Sequence, residues 1–297
     1  MLRKILLVLI ALLAALPAAA ETPRPVVASF SILGDMVKEI GGPYVAVTTL
    51  VGPDSDTHVY EPTPADAKAL ADTQLLFVNG LDFESWMPRL VQASGFKGKM
   101  IVASNGVKPR TMTEDGHEIA DPHAWQNLSN GLIYADNIAH ALEAALPAHA
   151  ADIEARAKAY EDKIRALDEK TRHELAAIPA IKRRVITSHD AFGYFGAAYG
   201  IEFLAPVGLN TEAEPAAAQI AALIEQMKRE GIKTVFLENM TSGRLATELA
   251  KEGGAKLGGE LYSDALSKPD GPAPTYLAMF DNNVPKLEKA MQENAAR

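Results

Sequence analysis

The sequence predicts an α/β protein of two lobes, each a mainly parallel sheet flanked by helices, joined by one long, rigid backbone helix. Three observations predict this fold class. In the first half of the chain, short apolar runs alternate with segments of helical periodicity, which is typical of parallel βαβ units. The same alternation returns in the last third of the chain. Between these regions, residues 148–178 contain neither glycine nor proline and are dense in Ala, Glu, Lys and Arg.

The first twenty residues have the layout of a secretory signal peptide. Arg3 and Lys4 precede an apolar run from Ile5 to Leu16, and the small residues at 18–20 predict cleavage after Ala20. The apolar run is shorter than the roughly 20 residues of a membrane helix, which disfavours the alternative of an uncleaved anchor. We therefore expect residues 1–20 to be removed and the mature protein to be periplasmic, without membrane insertion.

The N-terminal lobe is expected over residues 21–147. Strand-like runs each precede a helical pattern, and Gly41 and Gly42 predict the end of the first helix. Continuous apolar runs such as "LLFV" indicate a sheet covered on both faces. The predicted strands cover residues 25–30, 45–51, 74–80 and 100–106.

The linking helix is predicted over residues 148–178, long enough for about eight turns and with charges around much of its surface. The C-terminal lobe is expected over residues 179–297, where the alternation of strand and helix resumes. Its last helix is expected to be interrupted near Pro285. The predicted strands of this lobe cover residues 183–189, 201–207, 233–239 and 255–262.

Charge and cysteine content exclude several function classes. The formal net charge of −9 makes nucleic-acid binding a poor match, since that function needs a basic patch. The chain contains no cysteine, which excludes disulfides and cysteine metal ligands. We also expect no lipid-modified N-terminal cysteine and a monomer held together by an ordinary hydrophobic core.

Three histidines and one aspartate lie at or beyond predicted strand ends: His58, His123, His189 and Asp264. Open α/β sheets bind ligands beyond the carboxyl ends of their strands, and two of these residues belong to each lobe. Closing the lobes would bring all four to one cleft. Three imidazoles and one carboxylate suit a borderline dication such as Zn²⁺, whereas Ca²⁺ and Mg²⁺ need mostly oxygen ligands. For each histidine alone, a loop residue with one hydrogen bond remains the alternative.

The motifs around these residues resemble a known family. The segments "DTHVYEPTP", "DPHAWQN", "SHDAFGYF", "LYSDAL" and "TYLAMFDNN" are similar to those of the zinc/manganese-type solute-binding proteins of metal ABC transporters, the cluster A-I receptors. The resemblance extends from "VVASFSILGDMVKEIGG" to the C-terminal helix. It implies the fold predicted above and, motif by motif, the ligands His58, His123, His189 and Asp264. It also implies a membrane permease as partner, with a periplasmic metallochaperone as a further candidate.

The resemblance favours zinc as the cargo. In the family, the third ligand position tends to be glutamate in manganese binders and histidine in zinc binders, and this chain has His189 there. Nitrogen ligands also favour Zn²⁺ over Mn²⁺, although manganese remains the alternative. Many zinc-specific relatives carry a long histidine-rich loop before the second ligand, whereas "KPRTMTEDGHEIAD" has only His117. His117 is a candidate transient metal collector, or an ordinary exposed histidine.

Nearby carboxylates are candidates for supporting roles. Glu61 and Asp190 lie beside ligands in sequence and could orient imidazoles, or be surface or helix-start charges. Glu238 ends a predicted strand and is a spare carboxylate candidate. Glu212 and Glu214 are interpreted as charges that complement a helix N-terminus.

The expected function is high-affinity capture of a metal outside the cytoplasm for delivery to an ABC importer. An exported zinc hydrolase is the alternative from another class, and an adhesin is a third. A catalytic zinc keeps an open position for water, whereas four protein ligands close the shell. The chain also has no H-E-x-x-H helix and no G-x-S-x-G elbow. We therefore expect a binding protein and not an enzyme.

Overall fold

The two-lobe α/β fold is confirmed by a computed structural model that describes residues 22–114, 116–209, 211–212 and 214–295. Each lobe contains a four-stranded parallel sheet. The expected signal peptide lies outside the described residues, and its cleavage stays a prediction. Within the described part of the chain, no helix has the length and apolar character needed to cross a membrane.

The N-terminal sheet has the strand order β2-β1-β3-β4. All four residues of β3 are buried, as the continuous apolar run predicts, whereas β4 lies at an edge and exposes Met100 and Val102. The strands and helices of this lobe are β1 (Arg24–Phe30), α1 (Ser31–Gly41), β2 (Val45–Val51), α2 (Pro64–Ala71), β3 (Leu75–Val78), α3 (Met87–Ser94), β4 (Lys99–Val102), β5 (Thr111–Glu114), β6 (His117–Ala120) and α4 (Leu128–Ala145). The antiparallel pair of β5 and β6 was not predicted.

The long linking helix is confirmed as α5 (Ala150–Ala176), 27 residues in length. It packs against α1 and α4 of the N-terminal lobe and against α6 (Gly193–Tyr199) and α9 (Tyr276–Glu293) of the C-terminal lobe. Its buried residues recur every three or four positions and form one apolar stripe. These residues are Ile153, Ala157, Tyr160, Ile164, Leu167, Thr171 and Leu175. The helix is therefore packed along its length against both lobes.

The C-terminal sheet has the strand order β10-β9-β7-β8. Its elements are β7 (Arg184–Ile186), α6 (Gly193–Tyr199), β8 (Glu202–Leu204), α7 (Ala217–Glu230), β9 (Thr234–Glu238), α8 (Arg244–Gly253), β10 (Lys256–Leu261) and α9 (Tyr276–Glu293). The interruption expected near Pro285 is wrong, because α9 continues through it. The neighbouring residues Val284 and Leu287 are buried, and this packing offsets the missing backbone N–H of the proline.

One hydrophobic core extends through both lobes. It joins Phe30 of β1 and Tyr160 of the linking helix to Phe195 of α6 and Phe280 of α9. Burying side chains of this size contributes roughly 2–3 kcal/mol each. A second, smaller core lies between the C-terminal sheet and helices α7 and α8. The lobe boundaries at residues 147 and 179 stay a prediction, since the shared core crosses them.

Asp35 lies where the lobes meet, and we expect its protonation to make stability depend on pH. Its Oδ2 accepts a hydrogen bond of 2.8 Å from the backbone N–H of Tyr276, at the start of α9. Burial raises the pKa of Asp35 from its ordinary 3.8 to about 7, against the lowering effect of this hydrogen bond. The folded protein thus binds the proton more tightly than the unfolded chain. The carboxyl group therefore lowers the free energy of unfolding as the pH rises from about 4 to about 7.

Asp35→Asn keeps an oxygen acceptor for Tyr276 but cannot ionise. We expect it to raise the free energy of unfolding by about 1–3 kcal/mol at pH 8, with a much smaller gain at pH 5. Urea titrations of the metal-free protein at both pH values measure the difference. Asp281→Asn, at an exposed carboxylate, is the control and should change little. An equal gain for Asp35→Asn at both pH values would contradict the assignment.

Candidate metal centre

The structure brings the four predicted side chains to one point. His58 follows β2, His123 lies between β6 and α4, His189 follows β7, and Asp264 follows β10. One donor atom from each lies within 4.8 Å of the others. The loops beyond the strands therefore converge, as the sequence predicts.

The donor spacing fits a four-coordinate ion. His58 Nε2 lies 3.3 Å from His123 Nε2 and 3.2 Å from a carboxylate oxygen of Asp264. Asp264 also lies 3.0 Å from His189 Nε2 and 3.7 Å from His123 Nε2. Ligands at about 2.0–2.1 Å from a tetrahedral zinc ion are separated by about 3.3 Å. Three of these separations are close to that value, and all the donor atoms lie within 4.8 Å of one another, so the arrangement is near the one that such an ion requires.

Burial leaves this cluster little contact with solvent. His123, His189 and Asp264 are fully buried, whereas 8% of the His58 side chain is exposed. Phe83 and Trp125 pack beside His123 and form apolar walls. Polar groups in such a setting need charged or hydrogen-bonding partners. The four side chains supply most of these to one another, but Asp264 Oδ1 has no hydrogen-bond partner among the described residues.

The electrostatics of the cluster follow from its burial. Burial alone would raise the pKa of Asp264, but the imidazoles of His189 and His123 hold it well below the usual range. Burial would lower the pKa of His189, yet Glu238 and Asp264 raise it well above the ordinary value. The pKa of His58 is lowered by burial. Asp264 is therefore ionised at neutral pH, and protons compete with a metal for the imidazoles, so metal affinity falls as the pH drops.

Two carboxylates support the buried histidines from behind. Asp121 Oδ1 lies 2.9 Å from His123 Nδ1 and accepts a 3.0 Å hydrogen bond from the backbone N–H of His123. Glu238 Oε2 lies 2.7 Å from His189 Nδ1, although the ring N–H direction is not aligned with this oxygen. Both imidazoles thus turn Nε2 towards the common point. Carboxylates commonly hold metal-binding histidines in this way.

The sequence prediction of supporting residues was incomplete. Asp121 was not singled out, although it stands two residues before His123 in the "DPH" motif. Glu238, expected only as a spare carboxylate, lies against His189. Glu61 is exposed and Asp190 half-buried, and neither is among the four side chains whose donor atoms converge. His117 is exposed on β6, whereas Glu212 and Glu214 precede α7 and line a cavity together with His189; none of the three is among the four converging side chains.

The loop that carries Asp264 is bonded to the N-terminal lobe. The Trp125 indole N–H donates a 2.9 Å hydrogen bond to the carbonyl of Ser263. The backbone N–H of Leu266 donates a 2.9 Å bond to the Ser31 hydroxyl at the start of α1. Asp264 therefore follows a strand of the C-terminal sheet but is held in place by the N-terminal lobe. The sequence assigned it to the C-terminal lobe alone.

Comparison with known proteins decides the family. The family model of the zinc-uptake complex component A, periplasmic (ZnuA), matches residues 26–290. The chain belongs to the ZnuA family. Members of the ZnuA family are solute-binding receptors of ABC transporters and not enzymes, which excludes the hydrolase alternative. This protein is accordingly a metal-binding substrate-binding protein of that transporter class.

Relatives in the ZnuA family differ in the metal that they are named for. The iron-binding protein YfeA of Yersinia pestis is 35% identical over 89% of this chain and 85% of its own length. The manganese-binding lipoprotein MntA of Bacillus subtilis is 31% identical over 92% of this chain and 91% of its own length. The family therefore establishes a metal cargo without deciding which metal.

Solved structures have the same fold. The Mn-bound periplasmic metal-binding protein from Candidatus Liberibacter asiaticus has a TM-score of 0.81 and 34% identity, covering 90% of this chain and 99% of that chain. The periplasmic zinc-binding protein TroA from Treponema pallidum has a TM-score of 0.85 and 26% identity, covering 91% and 99%. Both agree with the two-lobe fold described above.

Proposed function

We propose that this ZnuA-family protein captures Zn²⁺ with high affinity in the periplasm and delivers it to the permease of an ABC importer. We further propose His58, His123, His189 and Asp264 as the ligands. The observation that carries the proposal is the convergence of three imidazole nitrogens and one carboxylate oxygen within 4.8 Å of one another. Four such donors satisfy the tetrahedral coordination of zinc without a water ligand.

The donor chemistry favours zinc among the metals for which relatives are named. Imidazole nitrogen binds Zn²⁺ well, whereas Mn²⁺ prefers carboxylate, carbonyl and water oxygens. The Irving–Williams order places Fe²⁺ and Mn²⁺ at the weak end for a nitrogen-rich site. A fully protein-supplied shell also leaves little room for the extra oxygen ligands that manganese takes.

An acidic cavity offers a route for cations to the site. It has a volume of about 680 Å³, and His189 forms part of its wall. Its lining includes four carboxylates and one cation, namely Asp56, Glu212, Glu214, Glu248 and Arg244. Clefts in which one sign of charge predominates raise the local concentration of counter-ions. The cavity therefore supports entry of a dication from the side of the C-terminal lobe.

Competitive titration of the metal-stripped protein tests the choice of metal. We expect Zn²⁺ to bind at least about 100-fold more tightly than Mn²⁺, because three of the four donors are nitrogen. Zinc is titrated against a chelator of known affinity, and manganese is then added to the zinc-loaded protein. Displacement of zinc by equimolar manganese would contradict the zinc assignment and favour the manganese alternative.

A further inference from the structure

Each of the two fully buried histidines is contacted twice by one carboxylate. Asp121 contacts both the ring Nδ1 and the backbone N–H of His123. Glu238 contacts His189 with its two oxygens: Oε2 lies 2.7 Å from the ring Nδ1, without an aligned hydrogen bond, and Oε1 accepts a 2.9 Å bond from the backbone N–H. The two pairs are unrelated in sequence, since Asp121 precedes its histidine by two residues and Glu238 comes from another strand.

Glu238 is placed by the C-terminal sheet. It ends β9, the strand that pairs with β7, from whose end His189 extends. Its side chain is fully buried, and Oε1 accepts hydrogen bonds from the backbone N–H groups of Ser188 and His189 at 2.8 and 2.9 Å. These bonds fix the carboxylate so that Oε2 faces the imidazole of His189.

The charge of Glu238 has one ion-pair partner. Among the residues that the structure describes, His189 is the only basic side chain within ion-pair distance of it. Asp121, in contrast, is also paired with Arg110 at 3.0 Å. A buried carboxylate 2.7 Å from Nδ1 repels the lone pair of that nitrogen and favours a proton on it. When the ring carries a single proton, as it must to bind a metal, Nε2 therefore holds the lone pair.

We propose that Glu238 is a positioning residue for metal binding, which fixes His189 in the tautomer that presents the Nε2 lone pair to the ion. The inference rests on the proposed function and deepens it, because it assigns a role to a side chain that does not itself reach the ion. The buried negative charge of Glu238 also favours a dication bound on the far side of the imidazole.

Glu238→Gln tests the inference. The amide oxygen can still accept the two backbone hydrogen bonds, but the NH₂ group then faces Nδ1 and favours the tautomer whose proton blocks Nε2. We expect the dissociation constant for Zn²⁺ to rise by about 10–100-fold. The matched control is Glu202→Gln on β8, whose carboxylate pairs with Arg184 at the surface, and it should bind zinc like the wild type.

A double-mutant cycle distinguishes positioning from a general structural effect. If Glu238 acts through His189, Glu238→Gln changes zinc affinity by less than about twofold when His189 is already alanine. An undiminished loss in that background would overturn the inference. A Glu238→Gln protein that binds zinc like the wild type would also overturn the inference. In that case the proposed function would stand, provided that His123→Ala weakened zinc binding.

The wild-type protein provides a readout that does not depend on the folding of a variant. Nitrogen-15 NMR of the zinc-bound protein should show His189 protonated at Nδ1 and coordinated through Nε2. Coordination through Nδ1 would overturn the inference. Failure of both His123→Ala and His189→Ala to weaken zinc binding would instead reject the proposed function itself.

Discussion

His123→Ala is expected to lower the affinity for Zn²⁺ by about 100- to 1000-fold. His123 is fully buried, and its Nε2 lies 3.3 Å from His58 Nε2 at the centre of the cluster. Structural zinc sites with four ligands bind with about 10–16 kcal/mol, so each ligand accounts for roughly 3–4 kcal/mol. The alanine leaves a small buried gap, and the loss of the imidazole also leaves Asp121 without its ring partner.

The effect of His123→Ala is measured by chelator competition on metal-stripped protein. His173→Ala is the control, since His173 is exposed on the linking helix and is not one of the four converging side chains. Thermal unfolding of both metal-free variants separates a folding defect from a binding defect. Zinc affinity within a few-fold of the wild type, in a folded His123→Ala protein, would refute the assignment of this ligand.

Asp264→Asn is expected to weaken zinc binding by about 100-fold and to weaken manganese binding still more. Asp264 supplies the only negative charge among the four donors, and this charge is fully buried. The attraction between a carboxylate and a dication is strong where water is excluded, and an amide oxygen retains only a small part of it. Because Mn²⁺ depends on oxygen ligands more than Zn²⁺ does, the ratio of zinc to manganese affinity should increase.

Parallel titrations of Asp264→Asn with both metals measure this ratio. Asp162→Asn is the control, because Asp162 is an exposed carboxylate on the linking helix and is not one of the four converging side chains. We expect the control to bind zinc within about threefold of the wild type. A ratio that falls in Asp264→Asn would show that the carboxylate does not contribute to manganese binding as proposed.

The sequence predicted the fold because local patterns determine it. Apolar runs and helical periodicity are patterns among residues close together in the sequence. The strand–helix alternation and the long helix could therefore be predicted from the sequence. The four converging side chains were predictable because each follows a strand, and strand ends of a parallel sheet meet at one edge. His189 lies three residues beyond β7, in a loop where the prediction had placed a longer strand.

Other features depend on contacts that a linear pattern does not contain. The bond between Trp125 and Ser263 joins residues 138 positions apart, so the attachment of the Asp264 loop to the N-terminal lobe could not be deduced. The contact between Glu238 and His189 likewise depends on which strands are neighbours. The sequence does contain an indication of the hairpin of β5 and β6, since the dipeptide "DG" is typical of the tight turn between two paired strands.

The core that runs through both lobes has a consequence for the rates of binding. Helices α6 and α9 pack with α1 and α5 in one cluster, so moving one lobe relative to the other would break apolar contacts of this core. If the ion enters and leaves through such a movement, both steps should be slow. A permease that loosened the contacts of α5 with either lobe when it docked would then speed release of the ion.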